Sequence, residues 1–129
     1  VILETHGDFS RSEDLVDVLE RVDNPYVGIL WDVHHPYRFF GEAMADTFEK
    51  LKKRIFHVHI KDSVPTEDGY RYTLPGEGDV PLGEVIDLLR EAPYKGWLSF
   101  EWEKRWHPSL EEPEIALPAF ARKMRELLV

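Results

Sequence analysis

The chain has 129 residues, of which 43% are hydrophobic and 32% are charged, which is the composition of one ordinary globular domain. It contains no cysteine, and this excludes thiol nucleophiles, disulfide scaffolds and cysteine-ligated metal sites. The formal net charge of -9 disfavours nucleic acid and anionic membranes as partners.

Apolar runs and helical periodicity alternate along the chain. Each of four short apolar runs precedes a stretch whose apolar residues recur on one helix face, which is typical of βα units and a parallel sheet. We therefore predict an α/β fold. The predicted strands lie at residues 1–3, 27–31, 55–60 and 97–100.

Capping and proline patterns set the predicted helix ends. Ser10 and Glu13 have the spacing of a capping box, and Asn24-Pro25 ends the first helix. Pro118 must lie in the first turn of the last helix or kink it. The other helices are predicted at residues 42–53, after Pro81, and at about 114–128.

Two long connections, residues 61–80 and 103–113, follow predicted strands. In parallel α/β folds, loops after the carboxyl ends of strands line the ligand crevice. The first of them contains Gly76-Glu77-Gly78, which could bind phosphate or form a turn that places Glu77 or Asp79. The P-loop pattern is absent, and this favours the turn.

A polar residue able to bind metal lies at or near the carboxyl end of every predicted strand: Glu4, Asp32, His59 and Glu101. Three acids held together are costly unless something positive lies among them or some of them hold protons. We therefore expect a divalent cation such as Mn²⁺, Mg²⁺ or Co²⁺, with Zn²⁺ also compatible. Further polar residues surround this set, namely His6, His34, His35, His57 and Glu103.

Each of these residues also has a purely structural interpretation. A single acid after a strand, such as Glu4 or Asp32, is commonly a helix cap or a solvated loop residue. His57 and His59 alternate with apolar neighbours, so both lie on one face, which could be solvent or the site. The tryptophans fit core or rim packing, and Trp102 and Trp106 could equally form a sugar platform.

Five segments resemble a known family: LETHGDF (3–9), WDVHHP (31–36), HVHIKD (57–62), LPGEGDVPL (74–82) and LSFEWE (98–103). They look like the last four βα units of sugar isomerase/epimerase-type TIM barrels of the xylose-isomerase-like superfamily. The resemblance covers essentially the whole chain. It implies a parallel half of a (β/α)8 barrel, with strands five to eight and their helices.

The resemblance also implies roles for particular residues. Glu4, Asp32, His59 and Glu101 match the family's metal ligands, and the two glutamates match its candidates for moving a proton next to the sugar carbonyl. His35, the histidine of the D-x-x-H pattern, resembles a residue that contacts substrate. We also assign the neighbouring His6 and His57 to substrate binding.

The same superfamily contains endonuclease IV-like DNA-repair enzymes, which resemble this chain at the D-x-x-H and G-E-G motifs. Their cluster of three zinc ions needs an additional Asp-x-His pair after strand seven. No histidine occurs between His59 and His107. This absence and the acidic net charge disfavour a DNA-repair role.

Length is the main departure from the family, because a full barrel takes ~250 residues. We predict that residues 1–129 form one domain, the C-terminal half of a barrel in a longer chain. Such a half has two open sheet edges. It must pair with a missing N-terminal half, pair with a second copy as a homo-oligomer, or form an open sheet.

The resemblance predicts a metal-dependent sugar or sugar phosphate isomerase or epimerase that moves a proton next to a carbonyl through an enediolate. Dehydration of a keto-polyol needs similar groups and stays open. The alternative from another class is a non-catalytic half-barrel that binds metal or polyol and serves in assembly. The first residues lack the features of a signal peptide, so we expect a cytoplasmic protein.

Overall fold

The structure is a computed structural model that describes all of residues 1–129. It has six strands and five helices, with a single 3₁₀ turn at Gly7–Phe9. In chain order the elements are β1 (Ile2–Glu4), α1 (Ser12–Val22), β2 (Gly28–Asp32), α2 (His34–Phe40), α3 (Met44–Leu51), β3 (Ile55–Ile60), β4 (Asp62–Thr66), β5 (Gly69–Thr73), α4 (Leu82–Glu91), β6 (Trp97–Phe100) and α5 (Pro113–Leu127).

Four strands form one parallel sheet in the order β1-β2-β3-β6, so β1 and β6 are its edges. The predicted α/β fold with a parallel sheet is confirmed. Strands β3 and β6 have the predicted bounds, and β1 and β2 end one residue later than predicted. Because all four strands run in one direction, their carboxyl ends meet at one edge of the sheet.

The hydrophobic core lies between one face of this sheet and the helices. Alternate residues of the strands, such as Ile29 and Trp31 in β2 and Val58 and Ile60 in β3, are fully buried. Full burial of one such side chain contributes roughly 1.5–3 kcal/mol. The helices supply the other half of the core, including Leu15, Met44, Phe48, Leu51, Val85, Ile86, Leu89 and Met124.

Two elements were not predicted. Helix α2 begins directly after β2 and carries both histidines of the D-x-x-H segment, and Gly41 ends it in the left-handed region (φ 63°). The long connection after β3 contains an antiparallel hairpin of β4 and β5. Both elements lie at the carboxyl edge of the sheet, and they build the walls of the site described below.

The predicted capping box is wrong. Helix α1 begins at Ser12 rather than after Ser10, and the Ser10 hydroxyl donates to the Gly7 carbonyl (2.8 Å). The backbone N–H of Ser12 instead donates to Glu42 Oε1 (3.0 Å), so a glutamate outside the helix caps it.

The remaining helices differ from prediction mainly at their ends. Helix α3 is shorter than the predicted 42–53, while α5 starts at Pro113 and includes Pro118 inside its second turn. Among the helices, α5 is the longest, with 15 residues. None of them is long and apolar enough to cross a membrane.

Candidate functional site

The four residues at the strand ends come together in space. One ligand atom from each of Glu4, Asp32, His59 and Glu101 lies within 4.8 Å of the others. His59 Nδ1 is 3.0 Å from Glu4 Oε1 and 3.6 Å from Glu101 Oε2. We call this set the strand-end cluster.

Lys61 lies at the centre of this polar region, and sequence reasoning missed it. Its side chain is 1% exposed, and its Nζ is 3.1 Å from Asp32 Oδ2 and 3.0 Å from Glu103 Oε1. It also contacts Glu101 Oε2, and it lies 3.1 Å from His35 Nε2. The alternation of side chains in β3 could have predicted its position, because Lys61 follows His57 and His59 at the same two-residue spacing and so lies on the same face.

Burial and charge shift the pKa values of this region in opposite directions. Burial raises the pKa of Asp32 to about 7, and the Lys61 charge only partly offsets it. Hydrogen bonds to Glu101 and Glu4 raise the pKa of His59 to about 9. Burial acts to raise the pKa of Glu101, but His59 and Lys61 outweigh it and hold that pKa below its usual range.

The neighbouring acids keep the Lys61 ammonium group charged. Burial acts to lower its pKa, but Asp32 and Glu101 outweigh burial and raise that pKa above its ordinary value. The acids of the cluster therefore balance their charge with the two cations that the chain itself provides, Lys61 and His59.

The donor set fits a divalent cation. Three carboxylates and one imidazole are the ligands that Mn²⁺, Mg²⁺, Co²⁺ and Zn²⁺ use in proteins. Asp32 Oδ2 and Glu101 Oε2 are buried and accept no hydrogen bond of normal geometry, although both lie near Lys61 Nζ. A metal ion at this position would give both oxygens a directional partner in addition to the nearby Lys61 charge.

Asp32 also acts as a helix cap. Its Oδ1 accepts a hydrogen bond from the His34 backbone N–H (2.8 Å) at the start of α2, while Oδ2 faces the cluster. The structural and the functional interpretation of Asp32 both apply.

Asp32, His34 and His35 form a second group of close ligand atoms. His34 Nε2 is bonded to Ser63 Oγ (2.8 Å), and burial lowers the pKa of His34 to about 3, which keeps its ring neutral.

Two of the three predicted substrate residues lie beside the strand-end cluster. His35 Nε2 is 3.5 Å from Asp32 Oδ2, and the His6 ring lies over the His35 ring at 4.4 Å between centroids. His57 lies one step further from the carboxyl edge, where its Nε2 bonds Ser99 Oγ (2.7 Å).

A cavity of about 550 Å³ opens next to the cluster. Its wall includes His6 and His35 from the predicted set, and Glu103, which contacts Lys61. Sequence reasoning did not place Tyr70, Tyr72 or His107 here. The lining residues are His6, Gly7, Ser10, His35, Phe39, Phe40, Tyr70, Tyr72, Glu103, Trp106 and His107.

The other tryptophans and the other large cavity lie elsewhere. Trp102 donates its indole N–H to the Glu111 carbonyl (2.8 Å) and supports the loop after β6. A mainly apolar cavity of about 450 Å³ lies between α4, β6 and α5, lined by residues such as Leu89 and Phe120. The polar cavity is instead lined by His35 and Glu103, which lie against Asp32 and Lys61, so it is the candidate site.

The glycine-rich segment after β5 is a turn, and its N–H groups are already used. The buried Asp62 carboxylate accepts hydrogen bonds from the backbone N–H of Ser63, Gly76, Gly78 and Val80 at 2.8–3.2 Å. A Cβ at Gly78 would lie 2.0 Å from Asp62 Oδ1, which explains the glycine. The turn also places Asp79 against Arg38.

Comparison with known proteins identifies the family. A family model described as xylose isomerase-like TIM barrel matches residues 1–126. The chain belongs to the xylose isomerase-like TIM-barrel family. With its four parallel strands and their helices, it has the architecture of half of such a barrel.

Three similar proteins match this chain over most of its length. The inosose dehydratase of Yersinia enterocolitica is 33% identical over 99% of this chain and 47% of its own length. A xylose isomerase domain protein from Planctomyces limnophilus superposes with a TM-score of 0.73 at 19% identity, over 98% of this chain and 43% of that one. A D-tagatose 3-epimerase-like protein superposes with a TM-score of 0.71 at 26% identity, over 92% and 40%. The chain thus spans less than half the length of these xylose isomerase-like proteins.

Proposed function

We propose that this protein is a divalent-metal-dependent enzyme that moves a proton next to the carbonyl of a sugar or related polyol. In this proposal, residues 1–129 are one domain, the C-terminal half of its barrel. The convergence of Glu4, Asp32, His59 and Glu101 within 4.8 Å carries the proposal. The family membership and the sugar-modifying names of relatives support it.

These four residues would hold the cation, which we expect to be Mn²⁺, Mg²⁺, Co²⁺ or Zn²⁺. When bound, it would supply Lewis-acid polarisation of the substrate carbonyl. The chain itself supplies the charge balance, since Lys61 contacts Asp32, Glu101 and Glu103. Burial of these contacts keeps water from weakening them.

We assign the proton transfer to the carboxylates of Glu4 and Glu101. They come from the first and the last strand of the sheet and approach His59 from two sides. Two bases on opposite sides of a bound sugar are what epimerisation requires, and one base that removes and returns the proton suffices for isomerisation. His6 and His35 border the cavity and would contact substrate. His57 lies further from the carboxyl edge of the sheet, where its Nε2 bonds Ser99 Oγ, and would contact substrate only from that side of the cluster.

Isomerisation or epimerisation through an enediolate is our first candidate for the reaction. Dehydration is a second candidate because the Yersinia relative carries the name inosose dehydratase. Both reactions begin with loss of a proton from the carbon next to the carbonyl. They differ in the next step, which is either return of the proton or loss of a neighbouring hydroxyl group.

The test uses protein expressed from its complete open reading frame, supplied with Mn²⁺ and a panel of ketoses and keto-polyols in deuterated water. Glu4→Gln and Glu101→Gln each keep the size and one oxygen of the side chain but remove the base. We expect deuterium incorporation at the reacting carbon to fall at least ~100-fold in each. Glu77→Gln, in the exposed turn after β5, is the matched control and should exchange like wild type.

Isothermal titration with Mn²⁺ tests the ligand set separately. Single alanine substitutions of Glu4, Asp32, His59 and Glu101 should abolish high-affinity binding, and the two Gln variants should weaken it less. Undiminished binding in two or more alanine variants would contradict the ligand set.

In the exchange experiment, wild-type deuterium incorporation in both Gln variants would remove the glutamates from the mechanism. Metal binding without any exchange would favour a non-catalytic binding module.

A further inference from the structure

Thr5 lies at the point where strand β1 ends, between two residues of the proposed site. It follows Glu4 of the strand-end cluster and precedes His6 of the cavity wall. Thr5 is fully buried, and its hydroxyl group bonds the main chain of Asp32 twice. The hydroxyl donates to the Asp32 carbonyl (2.9 Å) and accepts from the Asp32 backbone N–H (2.8 Å). One buried side chain thus joins the ends of β1 and β2, each of which carries a proposed metal ligand.

The hydroxyl group takes over where the backbone pairing of these two strands stops. Their parallel register ends at the pair Glu4 and Leu30, and the Thr5 N–H donates to the Leu30 carbonyl (3.1 Å). The chain then turns, because the His6 N–H donates to the Glu4 carbonyl two residues earlier (2.8 Å). Asp32 therefore lies beyond the last residue of β2 that pairs with β1. Its buried N–H still needs an acceptor, and the Thr5 side chain supplies it.

Asp32 is held at its backbone by Thr5 and at its carboxylate by the start of helix α2. Its Oδ1 accepts a hydrogen bond from the His34 backbone N–H (2.8 Å), and its Oδ2 faces the strand-end cluster, 3.1 Å from Lys61 Nζ. Asp32 is fully buried, so a partner that it loses is costly to replace. A shift of the Asp32 backbone would therefore change the distances from Oδ2 to the other ligand atoms of the cluster.

We infer that Thr5 is a positioning residue for the strand-end cluster. Its hydroxyl group fixes the end of β2 against the end of β1, and so sets Asp32 relative to Glu4 for binding one divalent cation. The inference rests on the proposed function, because it takes these two residues as metal ligands. Groups that orient metal ligands without touching the metal typically contribute roughly 10–100-fold to metal affinity.

A purely structural role for Thr5 makes a different prediction. Its hydrogen bonds also stabilise the edge of the sheet, so their loss would lower the free energy of unfolding in either case. If that were their only effect, the protein that remains folded would bind metal as well as the wild type does. Metal affinity and the symmetry of the bound ion therefore separate the two roles.

The first experiment is isothermal titration with Mn²⁺ of protein expressed from its complete open reading frame. Thr5→Val keeps the shape of the side chain and removes the hydroxyl group, and we expect the Kd for Mn²⁺ to rise at least about tenfold. Thr5→Ser restores the hydroxyl group and should bind within about threefold of wild type. Thr47→Val is the matched control, since Thr47 is 1% exposed and its hydroxyl donates to Glu42 Oε2 (2.7 Å), outside the cluster. Its Kd should equal that of wild type.

The second experiment records the Mn²⁺ electron paramagnetic resonance spectrum of each protein at saturating metal. This spectrum reports the symmetry of the ligand set independently of the affinity. We expect an altered zero-field splitting in Thr5→Val and the wild-type spectrum in Thr5→Ser and Thr47→Val. Circular dichroism checks that each variant is folded. Should Thr5→Val not fold, Thr5→Ala removes the same hydroxyl group without the valine methyl groups and carries the same expectations.

Two results would overturn the inference while leaving the proposed function intact. One is wild-type Mn²⁺ affinity in Thr5→Val, and the other is weaker binding with an unchanged spectrum, since the ligand positions would then be the same. Failure of the proposed function would look different. In that case the wild-type protein itself would not bind Mn²⁺ with high affinity, and the role of Thr5 would be overturned with it.

Discussion

Lys61 is a buried lysine whose ammonium group lies among the carboxylates of Asp32, Glu101 and Glu103. The strand-end residues Glu4, Asp32, His59 and Glu101 could be predicted because each follows or ends an apolar run. Lys61 follows the same alternation in β3, but a lysine after a strand is usually solvated. Only the fold shows it buried, because the carboxylates that surround it come from two other strand ends.

Replacing Lys61 by methionine tests its role as the cation of the apo site. The substitution keeps the length of the side chain but leaves Asp32, Glu101 and Glu103 without their common partner. We expect the free energy of unfolding in EDTA to fall by roughly 3–5 kcal/mol, as when one member of a buried ion pair is removed. Urea denaturation measures it.

Mn²⁺ should stabilise the Lys61→Met variant more than the wild type, because the added cation then replaces a missing charge. Thermal denaturation with and without Mn²⁺ gives this difference. Lys50→Met is the matched control: Lys50 pairs with Glu13 at the surface and should change stability by less than about 1 kcal/mol. Equal stability of the two variants in EDTA would contradict the role of Lys61.

At the scale of elements, Asp62 organises the wall of the site. Its carboxylate holds the turn at residues 76–80, and its neighbour Ser63 bonds both His34 and Arg38 of α2. The hairpin, the turn and α2 are thereby joined into one unit. Gly76, at φ 90°, lets the chain turn back toward Asp62.

Asp62→Asn tests this unit. The amide cannot accept all four backbone N–H groups, and its own N–H₂ would face donors, so we expect a loss of roughly 2–3 kcal/mol in the free energy of unfolding. Hydrogen exchange at Gly76, Gly78 and Val80 should accelerate. Asp68→Asn, at the exposed hairpin tip, should do neither. Unchanged exchange in Asp62→Asn would show that the turn holds without it.

The elements that escaped prediction share a physical reason. The sequences of helix α2 (HHPYRFF) and of the hairpin strands (DSVPT and GYRYT) contain no aliphatic run like those of the predicted strands, and Pro36 and Pro65 interrupt them. They are stabilised by contacts between elements, such as the T-shaped contact of Phe39 with Tyr70 at 5.5 Å. Elements such as β3 and α4 were predicted because their own residues show an apolar run or a helical period of apolar residues.

At the scale of the whole molecule, the second face of the sheet is not covered by this chain. The helices pack on one face only. On the other face, toward the end away from the site, Phe56 is 42% exposed and Trp97 is 79% exposed. Ile2, in the edge strand β1, is 49% exposed. Exposed apolar groups beside two open edges are typical of a surface that pairs with further protein.

We therefore predict that residues 1–129, expressed alone, associate with a second copy or with a supplied N-terminal half of a barrel. Burial of large apolar side chains drives this pairing, at roughly 1.5–3 kcal/mol for each one fully buried. Sedimentation velocity at micromolar concentration should show a dimer or larger species, and Trp97→Glu should lower the association constant at least about tenfold. Ile115→Glu changes an equally apolar side chain, 52% exposed on α5, and should leave association unchanged. A compact, stable monomer of the wild-type chain would show instead that the four-stranded sheet is stable with its second face in water.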